Sequence, residues 1–351
     1  MIRFDCDYLE GAHPRIIEKL VETNMEQTAG YGCDPHCDRA KELIKKVCNT
    51  PESDVHFLVG GTQTNTAVIC SALRIHQGVI SAVSGHINVH ESGAIEATGH
   101  KVLALPSSDG KLTAEQIREC YDSHYNDLCA EHMVQPAMVY ISFPTEGGTI
   151  YNKKELEDIY SVCKETGMYL YIDGARLGYG LSSEGCDLTL PDIAANCDIF
   201  YIGGTKVGAL FGEALVINNE NLKKDFRYVI KQKGGLLAKG RLLGIQFETL
   251  FEDGLYFEIS DYAIECAKRI HNIFASNGYE FLFDSKTNQQ FPILYDSELE
   301  IIGKDFSFDY WCRLPDGRNG VRFCASWATT KENLDKLEKA VAKIKMHKKE
   351  I

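Results

Sequence analysis

The chain has 351 residues, and 37 Lys and Arg against 50 Asp and Glu give a formal charge of −13 with histidines neutral. With 44% hydrophobic and 25% charged residues, the composition is that of a globular protein with a large core, not a disordered or fibrous one. The net acidity argues against nucleic acid or an anionic membrane as the main partner, while leaving room for a local cationic pocket. No apolar stretch approaches the length that crosses a bilayer. The thirteen cysteines are scattered singly, as in Val68-Ile69-Cys70, and Met1-Ile2-Arg3-Phe4-Asp5 carries charge where a signal peptide is apolar. Free thiols in a reducing cytoplasm are therefore expected. Cys33 and Cys37 flank His36, but no second ligand pair follows at zinc-finger spacing.

In chain order, the first 47 residues predict one or two helices outside the repeating core. Strands and helices then alternate. Val55–Val59 reads as a strand, Thr62–His76 as a helix and Val79–Val83 as a strand. A helix is expected over roughly Val89–Thr98, a strand at Lys101–Leu105 and a helix at Thr113–His124. The strand Ala137–Ser142 precedes the helix Lys153–Glu165, and Met168–Ile172 and Asp198–Ile202 are strands. Continuous apolar runs of this kind suit a parallel sheet buried on both faces. Residues 221–277 read as mostly helical. Short strands follow near Glu280–Phe283, Phe306–Trp311 and Gly320–Cys324, then a helix over Lys331–Lys345 with Thr329 and Thr330 as cap candidates. The expectation is an α/β fold with a large domain over 48–236, and a smaller α+β domain from 1–47 and 237–351.

Ligands in doubly wound folds sit beyond the carboxyl ends of the strands. Gly60-Gly61-Thr62-Gln63 lies there and opens a helix. It reads equally as an anion cradle and as a tight turn that needs glycine. It is neither a P-loop nor a GxGxxG fingerprint. Ser84-Gly85-His86 follows another strand; His86 is either a satisfied core histidine or a ring packed over a flat ligand. Asp173 ends an apolar strand, where a carboxylate needs a partner: nearby Arg176, or a protonated ring nitrogen. Lys206 follows Gly203-Gly204-Thr205. A lysine is commonly solvated, but desolvation among glycines and apolar residues lowers its pKa and favours a nucleophilic amine.

Together these residues resemble the fold type I enzymes that use pyridoxal 5′-phosphate, and among them the low-specificity L-threonine aldolases of the β-eliminating lyase family. Tyr31-Gly32-Cys33-Asp34-Pro35, Gly60-Gly61-Thr62-Gln63-Thr64-Asn65, Gly85-His86-Ile87 with Glu91, Asp173-Gly174-Ala175-Arg176, Thr205-Lys206 and Val321-Arg322-Phe323 are similar to that family's motifs in order and spacing. The resemblance implies that Lys206 holds the cofactor covalently and that Asp173 keeps its ring nitrogen protonated. It implies that Gly61, Thr62 and Gln63 bind the phosphate, that Thr205 and Arg176 also contact the cofactor, and that His86 stacks on the ring and is a candidate to take the substrate's β-hydroxyl proton. Arg176 and Arg322, with Tyr31, are implied for a small amino-acid substrate. The implied reaction cleaves the Cα–Cβ bond of a 3-hydroxy amino acid to glycine and an aldehyde. Elimination, transamination and a non-catalytic cofactor-binding role are the alternatives on the same scaffold. The resemblance also implies a homodimer or homotetramer with sites at the interface, where Lys231, Lys233 and Lys239 resemble the partner's basic segment. Two motifs depart from the family. Asp5-Cys6-Asp7 stands in place of Arg-Ser-Asp, and Ser142-Phe143-Pro144-Thr145-Glu146 in place of Glu-Asn-Thr-His.

Overall fold

The structure is a computed structural model and describes residues 1–348. A short strand, Ile2–Arg3 (β1), opens the chain. The seven strands that follow are Asp54–Leu58 (β2), Gln77–Ala82 (β3), Lys101–Leu105 (β4), Gln135–Ser142 (β5), Tyr169–Asp173 (β6), Ile199–Gly203 (β7) and Glu213–Ile217 (β8). They form one sheet in the order β2-β8-β7-β6-β5-β3-β4. Neighbours are parallel except β8, which runs antiparallel to both β2 and β7.

The period-two alternation of side chains decides which residues meet. Val139 and Ile141, Leu170 and Ile172, and Phe200 and Ile202 point to one face. There they pack with the helices Lys153–Thr166, Pro35–Cys48 and Arg241–Glu252. Met138, Tyr140, Tyr171, Ile199 and Tyr201 point to the other face, against Ala67, Val68 and Ile69 of the helix Gly61–Ala72. Both faces being covered explains why these strands read as unbroken apolar runs. Truncating one such residue, Ile172→Ala for example, removes about 2–5 kcal/mol.

After β8 come Gln289–Gln290 (β9), Ile293–Leu294 (β10), Phe306–Ser307 (β11), Asp309–Arg313 (β12) and Asn319–Cys324 (β13). β13 pairs with β12, β10 and β9, while β1 pairs with β11. Phe4, Ile270, Phe274, Phe323 and Leu337 form a separate core here, built from both ends of the chain. Thr330 caps the last helix by accepting from the Asn333 N–H at 3.2 Å.

Several elements differ from the sequence expectation. β8 was unforeseen, although Ala214-Leu215-Val216-Ile217 is wholly apolar. The expected helix over 89–98 is instead a short turn of helix at His86–Val89 and a 3₁₀ turn at Glu96–Thr98. Ser92 and Gly93 between them take positive φ, which ends a helix. The helical stretch over 221–277 is broken at Asp225, Gly234 and Gly254, all with positive φ. Near residue 281 only an isolated bridge from Phe281 to Pro292 forms, and the strands lie at β9 and β10 instead. The helix Pro35–Cys48, expected outside the repeating core, buries Ala40, Ile44 and Cys48 in the same cluster as Phe57 and Val216 of the sheet.

Candidate active site

The carboxyl ends of β5, β6 and β7 and the start of the helix Gly61–Ala72 surround a cavity of about 280 Å³. Gly61, Thr62, His86, Asp173, Arg176, Thr205 and Lys206 all line it. A second space of about 520 Å³ adjoins it, shares His86, Arg176 and Lys206, and reaches Arg322. Parallel pairing sets this convergence, since it brings the ends of successive strands to one edge of the sheet. Close backbone approach completes it. Gly203 N donates to Gly174 O at 2.9 Å, and a Cβ on Gly174 would lie 2.0 Å from the Tyr201 carbonyl oxygen.

Asp173 is buried, and each of its oxygens accepts two donors. Tyr140 Oη and Asn65 Nδ2 reach Oδ2 at 2.6 and 3.3 Å. Tyr201 Oη and the Ala175 N–H, at 3.0 Å, reach Oδ1. Burial and the Asp173 charge push both phenols well above their usual range, so they stay donors. Sequence reasoning missed Tyr140 and Tyr201. Their signal is positional: both lie on the sheet face that Asp173 also ends.

His86 Nδ1 lies 2.8 Å from Glu91 Oε1, which also accepts from Asn65 Nδ2 at 2.6 Å. Burial disfavours the charged imidazole, but the Glu91 hydrogen bond and the Asp173 and Glu91 charges outweigh it and raise the His86 pKa. Lys206 is partly buried. Desolvation, and then the Arg176 charge, lower its pKa against the pull of Asp7, Asp173 and Glu213. Burial raises the pKa of Glu213, whose Oε1 accepts from Thr205 Oγ1 at 3.3 Å. At the helix start the first backbone bond is donated by the Thr64 N–H to Gly60 O at 3.1 Å. The N–H groups of Gly61, Thr62 and Gln63 therefore precede the helical ladder, as anion-binding turns require.

The arginines are already engaged. Arg176 grips Asp7 through Nε at 2.6 Å and Nη2 at 3.0 Å. Burial alone would raise the Asp7 carboxyl, yet Arg176 and Lys206 hold it at about 2. Arg322 donates to Gln289 Oε1 at 2.9 Å and to the Asp5 carbonyl at 3.2 Å, and pairs with Asp309 at 2.9 Å. Two residues stand apart from the cavity. Gln63 accepts from Val59 N and donates to Lys233 O at 3.1 Å, which ties the basic segment to the turn. Tyr31 is 46% exposed, with Lys231 Nζ 4.8 Å from its ring centroid. All thirteen cysteines are free. Cys37 is buried, with its thiol raised by desolvation and then by Asp34, and His36 sits between Glu26 and Glu248. No helix among the described residues is long and apolar enough to cross a membrane.

Residues 6–348 match the beta-eliminating lyase family. The chain is 31% identical over 343 residues to the low specificity L-threonine aldolase of Pseudomonas sp. strain NCIMB 10558, with 95% of each chain covered. To the low specificity L-threonine aldolase of Pseudomonas aeruginosa it is 29% identical, covering 97% of this chain and 96% of that one. Among solved structures, Leishmania major threonine aldolase matches with a TM-score of 0.96 and 46% identity, over 98% of this chain and all of that one. Thermus thermophilus aspartate aminotransferase, at 14% identity, shares the fold with a TM-score of 0.70 over 98% of this chain and 91% of that one. The architecture is thus the mixed α/β, mostly parallel-sheet fold of those aminotransferases, and on the family match over nearly its whole length the chain belongs to the beta-eliminating lyases.

Proposed function

We propose that this protein is a pyridoxal 5′-phosphate-dependent aldolase that cleaves L-threonine, or a similar small 3-hydroxy amino acid, to glycine and an aldehyde. One observation carries this reading: Lys206, Asp173 and His86 line a single cavity that opens at the start of the helix Gly61–Ala72. The residues fit the cofactor. Asp173 is a carboxylate supplied with donors and set in the cavity wall, suited to a cationic ring nitrogen. The free N–H groups of the Gly61-Thr62 turn, with Thr205, suit its phosphate. Lys206, with its pKa lowered, suits the carbonyl carbon that an amine attacks. When bound, this cofactor acts as an electron sink for the pair left on the substrate Cα.

The chain's own groups do the rest. Arg176 keeps two nitrogens on Asp7 and makes no hydrogen bond through Nη1 among the described residues, which leaves that nitrogen for the substrate carboxylate. Arg322, whose partner Asp309 is a half-exposed carboxylate at 2.9 Å, is suited to the same task. His86, held by Glu91, supplies a flat ring on the cavity wall. The active form is a homodimer or homotetramer, in which Tyr31 and the Lys231–Lys239 segment of one protomer complete its partner's site. Neither Tyr31 nor any of these lysines lines the cavity of its own chain, which supports this. The free thiols support a reducing, cytoplasmic setting.

Product analysis with L-threonine, L-allo-threonine and L-serine tests the reading. Glycine and acetaldehyde from threonine are expected. Ammonia and a 2-oxo acid in their place would overturn it in favour of elimination.

A further inference from the structure

Glu146 occupies the segment where the family's Glu-Asn-Thr-His is absent, and it lines both halves of the cleft beside His86, Arg176 and Lys206. Its Oε1 is fixed twice. It accepts from Ser142 Oγ at 2.7 Å and from the His86 backbone N–H at 2.9 Å. Its Oε2 makes no hydrogen bond among the described residues. Glu91 and Glu213 also have an unpartnered oxygen, but in both that oxygen is buried; Glu91 does not line the cavity, and Glu213 lines it while its Oε1 accepts from Thr205.

We propose that Glu146 is the catalytic residue that accepts the substrate's β-hydroxyl proton, through Oε2. The assignment rests on the aldolase reading above. His86 is the obvious rival, and its Nδ1 is bonded to Glu91. With Nδ1 held by Glu91, only Nε2 of His86 is left to face the substrate. Glu146 carries an acceptor oxygen held in place by two bonds to its other oxygen, from the His86 backbone and the Ser142 hydroxyl, in the cavity wall.

In the cleavage, the hydroxyl O–H bond breaks and its proton passes to Oε2. The freed oxygen pair forms the aldehyde C=O as the Cα–Cβ bond breaks, and that bonding pair stays with Cα. Glu146 then releases its proton to solvent while Cα takes one up, so protons balance and no oxidant or reductant is needed. Burial and then the Asp173 charge raise the Glu146 pKa, while Ser142, its own backbone N–H and His86 lower it. Tyr140, Tyr151 and Arg176 also face it. The carboxylate form is the base, so kcat/KM should rise with pH through a value above the ordinary glutamate range.

The test compares wild type with Glu146→Gln, Glu146→Asp and Ser142→Ala. Three readouts are taken: cofactor affinity by absorbance titration, exchange of the glycine Cα proton in deuterated water, and acetaldehyde release from threonine. Glycine has no β-hydroxyl, so its exchange bypasses Glu146. Expected for Glu146→Gln is unchanged cofactor affinity, exchange within about threefold, and cleavage down by about 10²–10⁴, the usual worth of a general base. Its low-pH limb should vanish. Glu146→Asp should recover part of the cleavage, and Ser142→Ala should move the limb to higher pH, because the bond it removes stabilises the carboxylate. Cleavage reduced less than threefold in Glu146→Gln, or exchange and cofactor affinity falling in parallel with cleavage, overturns the assignment while the aldolase reading stands. A wild type that exchanges glycine but releases no acetaldehyde overturns both.

Discussion

At the scale of single residues, the site is a set of buried charges that fix one another's protonation. Asp173 draws four donors, Asp7 meets the Arg176 fork, and Glu91 holds His86. Removing one partner is therefore read best in the other. Glu91→Gln removes the anion that raises the His86 pKa and leaves the burial that lowers it. NMR titration of the His86 ring should show a midpoint above the ordinary imidazole value in wild type and a lower one in the variant. A group whose folded pKa is raised contributes below its unfolded pKa and loses that contribution as pH rises through the folded one. The Glu91 variant should thus lose this pH dependence, and an unmoved His86 midpoint would show that Glu91 is not the cause. That Lys206, Asp173 and His86 would gather at one site was legible from their places after strands. Tyr140, Tyr201 and Asp7 were not, because each matters through a neighbour distant in sequence.

At the scale of elements, the N-terminal segment is pinned to the sheet by one buried pair, Asp7 with Arg176, whose side chains are 0% and 14% exposed. Asn288 Nδ2 adds a donor to Asp7 at 2.8 Å and so brings in the carboxyl-terminal core. Asp7→Asn leaves the guanidinium without its counter-ion, which costs about 3–5 kcal/mol for a buried pair. Urea denaturation should show that loss; less than about 1 kcal/mol would mean that water or another anion replaces the carboxylate. Because the folded Asp7 pKa is depressed to about 2, its contribution is full above the unfolded carboxyl value and fades as pH falls toward 2. Most parallel strands were legible from apolar runs. β8 was not, because it follows β7 closely and runs antiparallel, so it lacks the intervening helix that marks the others. The break of the helical region at Asp225, Gly234 and Gly254 is set by backbone conformation, which periodicity does not report.

At the scale of the whole molecule, the sheet gathers residues from five strand ends while the chain's two ends supply Arg322 and the core behind it. If Tyr31 serves the neighbouring site, Tyr31→Ala and Lys206→Ala protomers, each inactive alone, should complement when co-expressed. Random pairing gives mixed dimers with one intact site each, and about a quarter of wild-type activity. No recovery in isolated mixed dimers would place Tyr31 outside the partner's site. The sequence by itself determined the alternating βαβ order, the family motifs and an acidic chain with a few cations reserved for a pocket. Those features follow from local periodicity and from residue types at strand ends. Only the tertiary structure decided that both arginines are already bridged, that Gln63 turns away from the cavity and that Glu146 turns into it. Such pairings depend on which side chains the sheet and the two chain ends bring within hydrogen-bond reach, across separations of up to 317 positions for Arg322 and Asp5, and no local pattern encodes that distance.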